Sequence, residues 1–235
     1  MNTDSSPTAS SETSQLSGIK QAETWVFDLD NTLYPSSCRL FDQVEKNMTR
    51  FIELLLKCER DEAYSVQKTY FREHGTTMAG LMHHHGVEPH DFMDFVHDID
   101  LSGVPTDPDL DTALNRLPGQ KIIFTNGSVN HAENITAHLG IRHHFDHVFD
   151  IVAANFVPKP ARSVYDLLAE RHDINPATSV MVEDMAINLK PAAEMGMTTV
   201  WVRTENEWGT KGSDGDHIHH VVDDLTGWLT QITRT

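Results

Sequence analysis

The amino-acid sequence predicts an α/β fold: a parallel sheet flanked by helices, with a helical segment inserted after its first strand. Three observations carry this. Five short apolar runs are rich in Val, Ile, Phe, Met or Trp without clean alternation, as in strands buried on both faces. Helix-like segments separate the last four runs, which makes right-handed βαβ crossovers. Between the first two runs, from Ser36 to Leu117, about eighty residues contain no convincing strand.

In chain order, the first run is Glu23–Leu29. The insertion follows. Val44, Met48, Phe51 and Leu55 fall at helical spacing, Ala63, Val66 and Tyr70 do the same, and Asp91–His97 reads as a further helix. Pro105 and Pro108 mark the return to the core. The second run, Lys121–Thr125, leads into a helix over Ser128–Leu139 that Gly140 stops, and the third, His147–Val152, precedes a helix over Ala161–His172. The fourth, Ser179–Glu183, precedes Pro191–Met195, a helix with proline in its first turn and Gly196 after its end. Thr198–Arg203 is the fifth run, Asn206–Asp216 reads as a surface loop, and Asp223–Ile232 as a last helix. The predicted organisation is a Rossmann-like core of residues 21–35 and 106–235, a helical cap of residues 36–105, and a disordered polar tail of residues 1–20.

Composition narrows the function. The 235 residues carry a formal net charge of −17, which argues against non-specific binding to nucleic acid or to an anionic membrane. No apolar run approaches the length of a bilayer span. The polar N-terminus lacks the basic start and apolar stretch of a secretory signal. Two cysteines, Cys38 and Cys58, make no disulfide framework, so a reducing, cytoplasmic setting is expected. A phosphate-bearing substrate would be repelled by the overall field, and its attraction must come from a local cation.

Four motifs bear on chemistry. In Val26-Phe27-Asp28-Leu29-Asp30-Asn31-Thr32-Leu33-Tyr34 a buried strand runs into two carboxylates. Acids at the end of an apolar strand are costly unless compensated, and Mg²⁺ with its preference for oxygen ligands does so. Phe124-Thr125-Asn126-Gly127-Ser128 brings a small hydroxyl and free N–H groups to a helix N-terminus, a phosphate cradle. Helical spacing of Ala132, Ile135 and Leu139 argues against a hairpin at Asn126-Gly127. In Val157-Pro158-Lys159-Pro160 two prolines restrict the backbone around a lysine able to pair with a carboxylate and a phosphate. In Val182-Glu183-Asp184-Met185-Ala186-Ile187-Asn188 a buried strand again ends in acids: Asp184 can complete a metal site, with Glu183 and Asn188 in support. Any one of these motifs alone also reads as a solvated loop or a helix cap.

Their order, acid pair, Thr-Asn, Lys, acid pair, resembles the haloacid dehalogenase superfamily in its phosphatase branch, over roughly Thr24 to Glu205. The resemblance implies a HAD-like core with a C1-type cap and assigns roles. Asp28 would be the nucleophile and form an aspartyl-phosphate. Asp30 would be the acid and base, its backbone carbonyl a metal ligand. Thr125 and the Asn126 N–H would bind phosphate, Lys159 would neutralise charge, and Asp28, Asp30 and Asp184 would hold Mg²⁺. The family's dehalogenases lack the second aspartate, so Asp30 points to phosphate ester hydrolysis. Met185 stands where a small polar residue is common in the family.

The wording Phe-Asp-Leu-Asp-Asn-Thr-Leu-Tyr-Pro, with Lys68–Gly80, His97–Asp100, Asn130-His131-Ala132 and Val157–Pro160, looks like the pyrimidine 5′-nucleotidase group. That implies a small-molecule phosphate monoester such as UMP or CMP, handled by a monomer or dimer. Tyr70, Arg72, Thr76, Thr77 and His97 are the cap residues expected to reach the leaving group, each also explicable by packing or a solvated face. A phosphatase of sugar phosphates or other small metabolites, and a silent nucleotide-binding regulator, are the alternatives. The runs His83-His84-His85 and His217/His219/His220 read as solvated faces, because consecutive helical histidines diverge and no cysteine partner has zinc-ligand spacing.

Overall fold

The computed structural model describes residues 19–204 and 209–234. Of the tail expected over residues 1–20, residues 1–18 lie outside the described residues, as does part of the expected 206–216 loop, while residues 19 and 20 are ordered. Ile19 packs in the main core.

Six strands form one parallel sheet: β1 (Thr24–Phe27), β2 (Gln120–Phe124), β3 (His147–Phe149), β4 (Ser179–Glu183), β5 (Thr198–Val202) and β6 (His220–Val222). Their order is β3-β2-β1-β4-β5-β6. Every residue of β1 and of β4 is buried, which is why these runs read as continuous apolar segments. Phe27 stands level with Ile123 of β2 and Val182 of β4, so these strands end within one residue of one another. The chain works outward from β1 to β3 and then returns to the other side of β1. Such a reversal opens a crevice at the carboxyl ends of the strands.

Helices cover both faces. Trp25, Phe27, Ile123 and Val182 point to one side, where α5 (Pro108–Arg116), α6 (Val129–His138) and α9 (Leu225–Thr233) pack. Val26, Ile122, Phe124 and Met181 point to the other, against α7 (Arg162–Arg171) and α8 (Ala186–Met195). This period-two alternation sends one strand's side chains into two cores.

Between β1 and α5 lie α1 (Leu40–Leu56), α2 (Arg60–His74), α3 (Thr77–His85) and α4 (Pro89–Val96). They bury a core of their own around Val44, Ile52, Ala63, Leu81, Phe92 and Val96. Ile151 and Phe156, from the loop after β3, plug into that core and tie the insertion to the sheet.

Three local readings need correction. The sheet has a sixth strand, β6, which three residues with an exposed Val221 are too short to reveal by pattern. The helix expected to begin at Pro191 begins at Ala186, and Pro191 sits inside it. There proline forgoes one bond to the Ile187 carbonyl, a cost that burial of Ala186, Leu189 and Ala192 offsets. The bounds of helix α3 do not follow from the sequence, because Thr-Met-Ala-Gly-Leu-Met-His-His-His has no amphipathic period; the Thr76 hydroxyl starts it by accepting from the Ala79 N–H at 3.0 Å.

Candidate active site

Asp28 is the first residue past β1, and its N–H still donates to the Val182 carbonyl at 2.9 Å. That bond aims its side chain into the crevice between β1 and β4. The Lys159 ammonium reaches the same place from the loop after β3. It donates to Asp28 Oδ1 at 2.7 Å, Glu183 Oε2 at 2.6 Å and the Phe124 carbonyl at 2.9 Å. Its three donors are thereby satisfied at 3% exposure. The Thr32 hydroxyl donates to Asp28 Oδ2 at 3.1 Å. Glu183 Oε1 accepts from the Met185 N–H at 3.1 Å, and the Asp184 carbonyl accepts from the Trp201 indole at 2.7 Å. These bonds hold the turn after β4 in place.

Asn126 joins the second and third motifs. Its Oδ1 accepts from the Lys159 backbone N–H at 2.8 Å. Thr125 Oγ1 accepts from the Gly127 N–H at 2.9 Å, which shapes the turn at the end of β2. Ser128 caps α6 by accepting from the His131 N–H at 3.3 Å.

Asp30 points to a different set of partners. Its Oδ1 accepts from the Tyr34 hydroxyl at 2.7 Å and lies 2.8 Å from His131 Nε2. His131 is buried and stacks on His97, with ring centroids 4.0 Å apart. His97 Nδ1 lies 3.1 Å from Ser128 Oγ. His97 closes α4 of the insertion, so this stack is a direct contact between the inserted helices and the sheet's crevice.

Electrostatics separates the two aspartates. Burial, and then the Glu183 charge, push Asp28 up to about 7 from an ordinary 3.8, although Lys159 pulls the other way. Burial and Glu183 also raise Asp184 well above the usual range. Burial acts to raise Asp30 too, but His131 and the Tyr34 hydroxyl outweigh it and hold it at about 2. Burial and then His131 push His97 down to about 3, so it is neutral at physiological pH. Burial opposes the charge on Lys159, yet Asp28 and Glu183 keep it above its ordinary value.

Oxygen atoms of Asp28, Glu183 and Asp184 lie within 4.8 Å of one another, all buried. Three carboxylates face a single ammonium, so negative charge is left over, and that excess adds to burial in making Asp28 and Asp184 resist ionisation. An all-oxygen donor set with surplus negative charge suits a hard divalent cation such as Mg²⁺.

The four predicted motifs therefore meet at one end of the sheet. Asn188 is buried near them and its carbonyl accepts from the Tyr165 hydroxyl at 2.6 Å. Of the five cap candidates, His97 arrives at the site. The others have duties inside the insertion. Thr76 caps α3, Thr77 donates to the Gln67 carbonyl at 3.3 Å, Tyr70 packs on His84, and Arg72 is exposed on α2. Thr32, Tyr34, Ser128 and His131 had no assigned role. Thr32 and Tyr34 each lie four residues past the aspartate they bond, and His131 stands in the first turn of the helix after Thr125. Both spacings place them beside the crevice.

A family model described as haloacid dehalogenase-like hydrolase matches residues 23–196. Phosphate metabolism protein 8 of Saccharomyces cerevisiae is 26% identical over 193 residues, covering 74% of this chain and 60% of that protein. Fructose-1-phosphate phosphatase YqaB of Escherichia coli is 42% identical over 74 residues, 31% of this chain and 38% of that protein. The alignments thus span less than two thirds of each relative's length. Among solved structures, a HAD phosphatase from Thermococcus onnurineus aligns with a TM-score of 0.62 at 17% identity, over 89% of this chain and 97% of that one.

Proposed function

The chain belongs to the haloacid dehalogenase-like hydrolases, and from that premise we propose that it is a Mg²⁺-dependent phosphomonoesterase acting through Asp28, with pyrimidine 5′-mononucleotides as substrates. One observation carries the chemistry: a buried Asp28 whose two oxygens are held by Lys159 and Thr32 beside Glu183 and Asp184. The residues to hold Mg²⁺ are Asp28, Asp184 and the Asp30 backbone carbonyl, with Glu183 alongside. Bound there, the ion supplies positive charge that offsets repulsion between a carboxylate nucleophile and a phosphate anion.

In the first step an Asp28 oxygen bonds to phosphorus and the ester P–O bond breaks. The leaving alkoxide takes its electron pair and a proton from Asp30. In the second, water attacks phosphorus, gives its proton to Asp30, and the bond to Asp28 breaks. Lys159 keeps Asp28 oriented and stays charged throughout. Thr125 accepts from Gly127, which leaves its own proton for a phosphate oxygen. The resting hydrogen bonds suit Asp30 to the base half of the cycle. A phosphate dianion beside it raises its pKa for the acid half.

The pyrimidine preference rests on the wording of the first motif and the cap. A second reading is a phosphatase of sugar phosphates, favoured by the name of the E. coli relative. Phosphate release from a panel of nucleotide and sugar monophosphates, with and without Mg²⁺, tests both. UMP or CMP preference, lost in Asp28→Asn and without metal, supports the proposal. Release from sugar phosphates alone keeps the mechanism and discards the nucleotidase reading. Release from nothing points to a silent regulator.

A further inference from the structure

We propose that the α2–α3 hairpin carries a second cation site, in which His74, His84 and Glu73 take a borderline divalent ion such as Zn²⁺, Co²⁺ or Ni²⁺. His74 Nε2 and His84 Nε2 face each other at 3.0 Å. Two imidazoles on one tetrahedral zinc, each at 2.0–2.1 Å, hold their nitrogens about 3.3 Å apart. The pair therefore stands close to a coordination edge before any ion arrives. A Glu73 oxygen lies within 4.8 Å of a ring nitrogen of each histidine, and the ring of His83 sits 5.2 Å from that of His74. The donors are mostly imidazole, the chemistry of zinc, cobalt, nickel and copper, whereas the Asp28 cluster is all oxygen.

The fold builds this arrangement across two helices. Glu73 and His74 end α2, Gly75 reverses the chain at φ 82°, and Thr76 starts α3. A Cβ on Gly80 would collide with the Tyr70 side chain, so glycine there lets α3 lie against Tyr70. The Tyr70 ring then stacks on His84 with centroids 4.9 Å apart, and its hydroxyl lies 2.7 Å from His85 Nε2. Partial loss of water and the neighbouring His83 and His74 hold His84 below its ordinary pKa. At present one of the two facing nitrogens must carry the proton of their hydrogen bond. Binding moves that proton to Nδ1 of the same ring, and the charge of the pair is unchanged.

The test uses the full chain saturated with Mg²⁺, titrated with Co²⁺ and followed by calorimetry and visible absorption. One equivalent of Co²⁺ with d–d bands is expected, and binding weakens by about 10–100-fold or more in His74→Gln and in His84→Gln. Asp28→Asn and His144→Gln retain it; the second is the control for the separate Asp111/His143/His144 cluster. Zn²⁺ raises Tm in the wild type and not in His84→Gln, a readout independent of the cobalt spectrum. Titration of the two hairpin variants indistinguishable from wild type overturns the proposal, as does loss of the site in Asp28→Asn or His144→Gln.

Discussion

Lys159 is the residue on which the crevice's charge balance turns, because its ammonium joins Asp28 and Glu183 where water is excluded. Removing one partner of a buried ion pair strands the other, at about 3–5 kcal/mol. Lys159→Met is therefore expected to lose about that much in urea unfolding of the metal-free protein. Asp28→Asn removes a charge from an overcrowded cluster instead. It is expected to keep or raise metal-free stability while lowering turnover by about a thousandfold or more, as loss of a nucleophile does; an active Asp28→Asn enzyme would dismiss Asp28 from that role. Stability should also follow pH. Asp28 has a folded pKa of about 7, above the ordinary 3.8, so the folded state holds the proton more tightly. Its contribution is full below about pH 4 and is lost as pH rises to 7. Asp30 runs the other way: at about 2 when folded, its contribution is full above about pH 4 and lost toward pH 2. The proposed Mg²⁺ would bind the ionised cluster, so it should raise Tm more at pH 8 than at pH 5. An equal rise at both values would mean that the cluster does not bind the ion.

Two elements set how the inserted helices meet the sheet. The loop after β3 sends Ile151 into the insertion's core, and the Ile151 N–H donates to the Gly127 carbonyl at 3.1 Å. One residue thus ties the helical core to the turn that follows Thr125. Ile151→Ala leaves a cavity worth about 2–5 kcal/mol. Because that turn shapes the proposed phosphate cradle, kcat is expected to fall as well, which thermal unfolding and steady-state kinetics together would reveal. The hairpin of α2 and α3 depends on the missing Cβ of Gly80 against Tyr70. Gly80→Ala forces the helices apart and should cost about 1–3 kcal/mol, an overpacking penalty that exceeds alanine's better helix propensity.

At the scale of the whole molecule, a net charge of −17 surrounds a site proposed to take an anion. Attraction is local, from Lys159 and the proposed Mg²⁺, while the distant charges repel. Salt screens the distant charges first, because the Debye length is about 8 Å at 0.15 M ionic strength. With Mg²⁺ saturating, kcat/KM for a phosphate monoester should therefore rise as ionic strength increases from about 0.01 M to 0.15 M. A steep fall would mean that a positive surface guides the substrate instead. Among the described residues no helix is long and apolar enough to cross a membrane.

The buried strands were legible because a two-sided burial demand leaves an unbroken apolar run, and the acids that follow those runs stood out against it. β4 matches its expected bounds, Asp28, Glu183 and Asp184 were named from such interruptions, and Lys159 from the prolines on either side of it. What the sequence alone determined was thus which residues are too polar for their neighbourhood to be accidental. β6 and the bounds of α3 stayed hidden, since three residues carry no period and a helix packed on several sides has no polar face. Only the tertiary structure decided which polar groups touch. The Asp30–His131 contact joins residues 101 positions apart, and the His74–His84 pair crosses two helices. Periodicity describes one element at a time, whereas these contacts depend on how two elements pack, and a single missing methyl at Gly80 is enough to set that.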